Sequence, residues 1–329
     1  MGRILVHNLP MPPGRDRHVR LGYALAASAA TMWALNGSFS SLLLDDGISA
    51  MRLAELRAVL TFVLLAGTVA LIRPSLLRVR REDIPRLAFL GVFGLAGVHV
   101  TYFFSISRLD VGVALVIQYL GPLILLLWLR LAHGRRLKRG LWGAAALSVV
   151  GCALVVQIWN PGDIDVLGLL GAFGAAITFA IYLYSSEQAG HHYEAVTTLV
   201  WGFGFATLFW LVVQPIWTFP FEKFASAENI ALGLGVVIIG TALPFVCIVT
   251  SLRHVPASRA AVVATLEPVL AAIIAWPVLG QDLDVAQIAG GLIVVGAVIW
   301  VQSQRPAHED EAAPAYGARR RESAAAVVR

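Results

Sequence analysis

Residues 111–137, VGVALVIQYLGPLILLLWLRLAHGRRL, and residues 257–283, ASRAAVVATLEPVLAAIIAWPVLGQDL, decide the reading of this chain. Sliding the sequence against itself by 146 positions lays one on the other: Leu120 and Pro122 meet Leu266 and Pro268, and Gly134 and Leu137 meet Gly280 and Leu283. The same offset brings Leu21-Gly22 onto Leu167-Gly168, Ala34 onto Ala180, Ser40 onto Ser186, Gly94 onto Gly240 and Ser105 onto Ser251. One gapless offset serving most of the chain marks a duplicated unit. The turns that follow differ in sign, Arg135-Arg136-Leu137-Lys138 against Gln281-Asp282-Leu283-Asp284.

Around these stretches the composition is that of a membrane protein. The 329 residues are 58% hydrophobic and 14% charged, whereas soluble domains are about half apolar and about a quarter charged. Charge-free runs occupy 21–44, 58–72, 87–107, 111–129, 140–162, 166–186, 195–221, 229–252 and 285–304, and a tenth, 260–281, is broken only by Glu267. A helix needs about 20 apolar residues to cross the hydrocarbon core. The expectation is an all-α polytopic membrane protein of ten transmembrane helices, arranged as two five-helix repeats. Five is odd, so the second repeat is inverted relative to the first.

Charge sets the orientation. With a cytoplasmic N-terminus the inner loops collect Arg73, Arg78, Arg80, Arg81 and Arg86, then Arg130, Arg135, Arg136, Lys138 and Arg139, while only Arg52, Arg108 and Lys223 fall outside. That bias puts both termini in the cytoplasm. The basic balance therefore reports topology and not a nucleic-acid partner. The expected organisation is a cytoplasmic segment 1–20, a first repeat 21–158, a second repeat 166–303 and a disordered cytoplasmic tail 304–329. Inverted repeats typify secondary transporters, whose sites lie at the midplane between the halves.

The helix-four pattern Ala114 to Leu123, the Arg135-Arg136-Leu137 turn, and Arg259 to Val269 with Leu279-Gly280 resemble EamA-type members of the drug/metabolite transporter superfamily, with Glu267-Pro268 as the most specific part. Trp33 and Leu56-Arg57 look like matching positions of that family. Gly134-Arg135-Arg136 departs from the Gly-Glu-Arg often found there. The resemblance covers about residues 20–303 and implies a carrier of two inverted units in the plasma membrane, exporting amino acids or small metabolites.

An ionisable side chain in a span costs at least about 2.5 kcal/mol and so normally faces a cavity or a partner. At about 1.5 Å per residue, Asn36 and His99 lie roughly 22 Å from the inner side and Arg57 and Gln118 about 10 Å from the outer one, a single layer. Arg57 could grip a substrate carboxylate or form a structural clamp with Glu55 or another acid. His99, with Tyr102 one turn on, suits a proton relay or a carbonyl-bonded packing role. Gln118 and Trp33 are divided between substrate contact and helix packing. Thr178, Tyr182 and Thr241 are the second half's candidates for substrate binding. Glu267, beside the helix-breaking Pro268 and matched by Pro122 in the first half, is the candidate for coupling or gating: it can take up a proton, or stay ionised against Arg57 or Arg259.

No cofactor is expected. The chain lacks a G-x-x-x-x-G-K-[ST] loop for ATP, and no metal site is read at His191-His192, where adjacent rings diverge. Cys152 and Cys247 read as small apolar residues within spans. No catalytic residues are assigned. The partners are the bilayer and a small molecule, either amino acid, metabolite or amphiphilic drug; a homodimer is compatible with this reading. The competing functions are an intramembrane lipid-modifying enzyme, for which the spans hold only Glu55 and Glu267, and a passive lipid or solute translocator.

Overall fold

A computed structural model describes residues 15–109, 111–135, 137–159, 165–279 and 284–304. The described residues form helices and no strands. The α-helices in chain order are α1 (Arg15–Asp45), α2 (Ala50–Ile72), α3 (Ile84–Phe89), α4 (Gly97–Ile106), α5 (Val111–Gln118), α6 (Gly121–Leu131), α7 (Arg139–Val155), α8 (Val166–Gly190), α9 (Ala195–Val213), α10 (Ala227–Val237), α11 (Leu243–Ser251), α12 (Ala257–Ala264), α13 (Glu267–Leu279) and α14 (Val285–Ser303).

Several of these are pieces of longer rods. A π segment, Leu90–Ala96, joins α3 to α4, and a second, Ile238–Ala242, joins α10 to α11. The two π segments end 146 residues apart. Between α5 and α6 the chain tightens at Tyr119-Leu120, where the Leu120 amide reaches Ile117 O at 3.0 Å; between α12 and α13 it does so at Thr265-Leu266, where the Leu266 amide reaches Val263 O at 3.1 Å. These breaks too are 146 residues apart. Each precedes a proline by two residues, Pro122 and Pro268, and a proline has no N–H to give the carbonyl four residues back.

Among the described residues, eight helical rods are long and apolar enough to cross a membrane. Two expected spans fall short of that measure for different reasons. The helix α7 is apolar but has 17 residues, and α1 has 31 but is diluted by Ser28, Thr31, Asn36, Ser40 and Ser41. Local signals set the ends. Ser49 caps α2, Ser226 caps α10, and Asp284 with Gln287 forms a capping box on α14. Asp165 caps α8 by accepting from the amides of Leu167 and Gly168, which, with Arg108 at 3.1 Å, hold its carboxyl below the usual carboxylate range.

The bundle inverts the usual rule of burial. Large apolar side chains such as Leu71, Val212 and Leu170 point outward, while Arg57, His99, Thr241 and Arg259 are buried. Small residues let the rods close up. Gly151 on α7 packs against Gly290 and Val294 on α14, so closely that a Cβ at Gly151 would lie 2.8 Å from Gly290 O. The pairing is reciprocal across the two parts of the chain: α4 packs on α8 as α11 packs on α1, α2 pairs with α9, and α7 pairs with α14.

A side chain at this crossing must push the two backbones apart, and overpacking costs typically 1–3 kcal/mol. Gly151→Leu is therefore expected to lower the melting temperature of the purified protein by several degrees, followed by tryptophan fluorescence. Gly296→Ala, which meets nothing within 4 Å, should leave it unchanged.

Candidate functional site

A cavity of ≈ 280 Å³ is lined by α1, α2, the first π segment, α4, α5 with the Tyr119 break, α8, α11 and the first residue of α13. Trp33, Asn36, Arg57, His99, Tyr102, Gln118, Tyr182 and Glu267 all line it. Thr178 and Thr241 do not. Thr178 faces Thr101 at 3.3 Å in the α4–α8 seam and donates to Gly174 O, so it serves helix packing. Thr241 lies behind the wall as a partner of Arg57.

Arg57 is held from the other part of the chain. Its Nε donates to Thr241 Oγ1 at 2.9 Å and its Nη2 to Gly240 O at 3.0 Å. Both acceptors belong to the π segment Ile238–Ala242. Pro244 stands four residues beyond Gly240 and offers it no amide, so this carbonyl is open to the guanidinium. Thr241 is fixed in turn by donating to Val236 O at 2.8 Å. The bonds to Thr241 and Gly240 use two of the five N–H groups of Arg57, whose side chain lines the cavity. The clamp expected between Arg57 and Glu55 is not formed. Glu55 accepts from Arg52 at 2.6 Å, one helical turn away, whereas Arg57 is turned across the bundle to Thr241.

Glu267 sits on the opposite stretch of wall, at the first position of α13, directly after the break. Arg57 and Glu267 act on one another electrostatically but form no ion pair within 4.0 Å. Arg259 is not a partner of Glu267 either. It is buried, and donates to Tyr23 Oη at 3.0 Å, Val301 O at 3.1 Å and Gln304 O at 2.6 Å, tying α12 to α1 and α14. The cavity thus carries a fixed cation and a separate carboxylate.

Neutral hydrogen-bonding groups fill the rest of the polar wall. Gln118 Oε1 and Tyr182 Oη are buried without a hydrogen-bond partner in the protein, while the Tyr119 hydroxyl is directed to the Glu267 carboxyl. Buried polar atoms are nearly always paired, so these two orphans stand out on the cavity wall. Asn36 accepts from Ser40 at 3.3 Å and packs against Gly240, where any side chain would collide with it. His99 Nδ1 donates to Leu95 O at 2.7 Å, leaving Nε2 as the free ring nitrogen of the neutral form.

An aromatic cluster closes the cavity toward the arginine-rich end. Phe245 is its hub, 5.6 Å from Trp33, 5.3 Å from Tyr182, 5.3 Å from Phe203 and 6.3 Å from His99 between ring centroids. Phe245 and Tyr119 escaped the sequence reading, since an aromatic in an apolar run carries no distinguishing mark. Pro122 did offer one for Tyr119: a tightened turn lets neighbours 118 and 119, which a regular helix would splay by about 100°, face one cavity. No group of three or more His, Cys, Asp or Glu side chains that could hold a metal occurs among the described residues.

Comparison with known proteins agrees with this architecture. The model of the EamA-like transporter family matches twice, over residues 20–157 and 166–302. The threonine/homoserine exporter RhtA of Escherichia coli strain K12 is 28% identical over 254 residues, 77% of this chain and 79% of its own length. The inner membrane transporter YicL of Salmonella typhimurium is 24% identical, over 86% of this chain and 95% of its own. The pseudopaline exporter CntI of Pseudomonas aeruginosa is 27% identical over 70% of this chain and 78% of its own. One crystal structure superposes with a TM-score of 0.70 at 17% identity, covering 87% of this chain and 96% of that one, a likeness in fold. With both stretches of the chain matched by one family model, this multi-pass membrane protein belongs to the EamA-like transporter family.

Proposed function

We propose that this protein is a secondary exporter of amino acids or similarly small zwitterionic metabolites across the plasma membrane, working by alternating access. The observation that carries the proposal is that Arg57 and Glu267 line one cavity without forming an ion pair, with the unpartnered Gln118 Oε1 and Tyr182 Oη beside them. A zwitterion satisfies this set: its carboxylate takes the free N–H groups of Arg57, its ammonium faces Glu267, and a side-chain hydroxyl meets Gln118 or Tyr182. At ≈ 280 Å³ the cavity lies just below the range of about 300–1,000 Å³ usual for ligand pockets. That favours an amino acid over an amphiphilic drug. RhtA and CntI, both exporters by name, support export.

In this reading the rods make ten spans in two inverted five-helix halves, 21–158 and 166–303, with both termini cytoplasmic. The paired breaks, the paired π segments and the reciprocal packing support it. The cavity reaches Leu44, Ile106 and Val111, at the ends of α1 and α4 and the start of α5, away from the basic loops. Access is then from outside. The inner side is shut by the Phe245 cluster, by the Ala257 amide donating to Glu187 at 3.1 Å, and by Arg259 with Tyr23. Rocking one half against the other would exchange these closures. Arg57, anchored on one half and bonded to the other, senses that motion.

Counterflow of threonine in proteoliposomes tests the site. A charge-assisted hydrogen bond is worth about 1.5–3 kcal/mol, so Arg57→Gln should raise the half-saturating concentration by roughly ten- to a hundredfold. Thr241→Val, which keeps the cation and loosens its anchor, should cost about three- to tenfold. Unchanged affinity in both would remove Arg57 from the site. For coupling, Glu267→Gln is expected to raise the half-saturating concentration, since the ammonium loses its partner, and at saturating threonine to keep exchange but lose uphill transport driven by a pH gradient. Equal uphill transport by parent and variant would exclude proton coupling through Glu267.

A further inference from the structure

A second, larger hollow of ≈ 760 Å³ lies between α3, α6 and α8 and is separate from the central cavity. Its rim residues Phe89, Trp128 and Ile177 are 45%, 52% and 48% exposed, so it opens sideways at the depth of the bilayer. Its floor is the buried pair Leu87 and Leu125. The lining changes character toward the arginine-rich end of the bundle, where Arg86, Tyr184, Gln188 and His192 take over. Tyr184 is fixed there by a 2.7 Å hydrogen bond to His133 Nε2, and Arg135 acts on both Tyr184 and His191 electrostatically.

Length and charge identify the occupant. From Gln188 to Ile177 along α8 is eleven residues, roughly 16 Å at about 1.5 Å per residue, which matches one leaflet of a hydrocarbon core about 30 Å thick. The acid on its wall, Asp83, is already engaged: it accepts from Tyr193 Oη at 2.6 Å and from Arg86 Nη1 at 3.4 Å. The Arg86 side chain is nonetheless 79% exposed, with most of its N–H groups left for an anion. Basic pockets between membrane helices, next to loops as arginine-rich as 73–86 and 130–139, attract anionic head groups.

We propose that this hollow seats an anionic glycerophospholipid of the arginine-rich leaflet, with its phosphate at Arg86 and Arg135 and an acyl chain running past Trp128 to Ile177. The lipid fills the lateral seam between α3, α6 and α8, so it is a structural ligand independent of the transported solute. Nothing in this assignment requires that the central cavity bind a zwitterion.

The test uses the full chain in nanodiscs containing equal phosphatidylcholine and phosphatidylglycerol, with retained lipids counted by native mass spectrometry after detergent release. The parent is expected to retain phosphatidylglycerol over phosphatidylcholine. Each arginine near a membrane surface contributes about a fivefold preference, so Arg86→Gln with Arg135→Gln should bring the ratio close to one. A phosphatidylglycerol with a diazirine in its acyl chain should crosslink the parent at α6 and α8 around Trp128 and Ile177, a result that needs no variant to fold. Equal retention of the two lipids by the parent, a preference unchanged in the double variant, or crosslinks elsewhere on the chain would overturn the assignment. So would crosslinking of this face to a second copy of the protein in place of lipid.

Discussion

Inside a bilayer every backbone amide and carbonyl must find its partner within the protein, because lipid offers none. This constraint governs the molecule. Where a proline follows a break or a π segment, the carbonyl four residues before it receives no amide from that proline. The Gly240 carbonyl is met by the Arg57 guanidinium, and the Leu95 carbonyl by the His99 ring. A buried cation is thereby held against the backbone of the second π segment.

The same logic explains how so apolar a chain holds a polar cavity at small cost. Arg57 needs no buried acid for its charge, since a hydroxyl and a carbonyl solvate two of its donors. Glu267 occupies the first turn of α13, where the unpaired amides of a helix start favour a carboxylate. Keeping the two charges apart avoids a collapsed ion pair and leaves both able to act on a third body. Around them, Phe245 and its neighbours supply a wall that is rigid and dry.

Much of the fold was legible because lipid imposes a simple rule on sequence. Charge-free runs of about 20 residues can be little else than helices, and the 146-residue offset needs only identity at Leu, Gly and Pro to be seen. The rule weakens where a rod is diluted by polar residues, as in α1, or is short, as in α7. Of the site, the polar residues lying in apolar runs stood out by their cost, which is why Arg57, His99, Gln118 and Glu267 were singled out before any geometry. Their partners did not. Thr241 is 184 residues from Arg57, and no local signal says that its hydroxyl serves a guanidinium and not a solute. Thr178 poses the same difficulty: its hydroxyl bonds Gly174 O of its own helix and faces Thr101, and in sequence it reads like one that faces a ligand. Phe245 had no signal beyond its place next to Pro244.

Two halves of opposite orientation around one cavity remain the central physical idea, and compartment labelling addresses it most directly. Single cysteines at Arg78 and at Ala225, near-equivalent positions of the two halves, would be placed in a chain lacking Cys152 and Cys247. Intact cells would then be treated with a membrane-impermeant maleimide. Inverted halves predict that Ala225→Cys reacts at once and Arg78→Cys only after permeabilisation. Reaction of both from the same side would contradict inversion, and with it the midplane site between the halves.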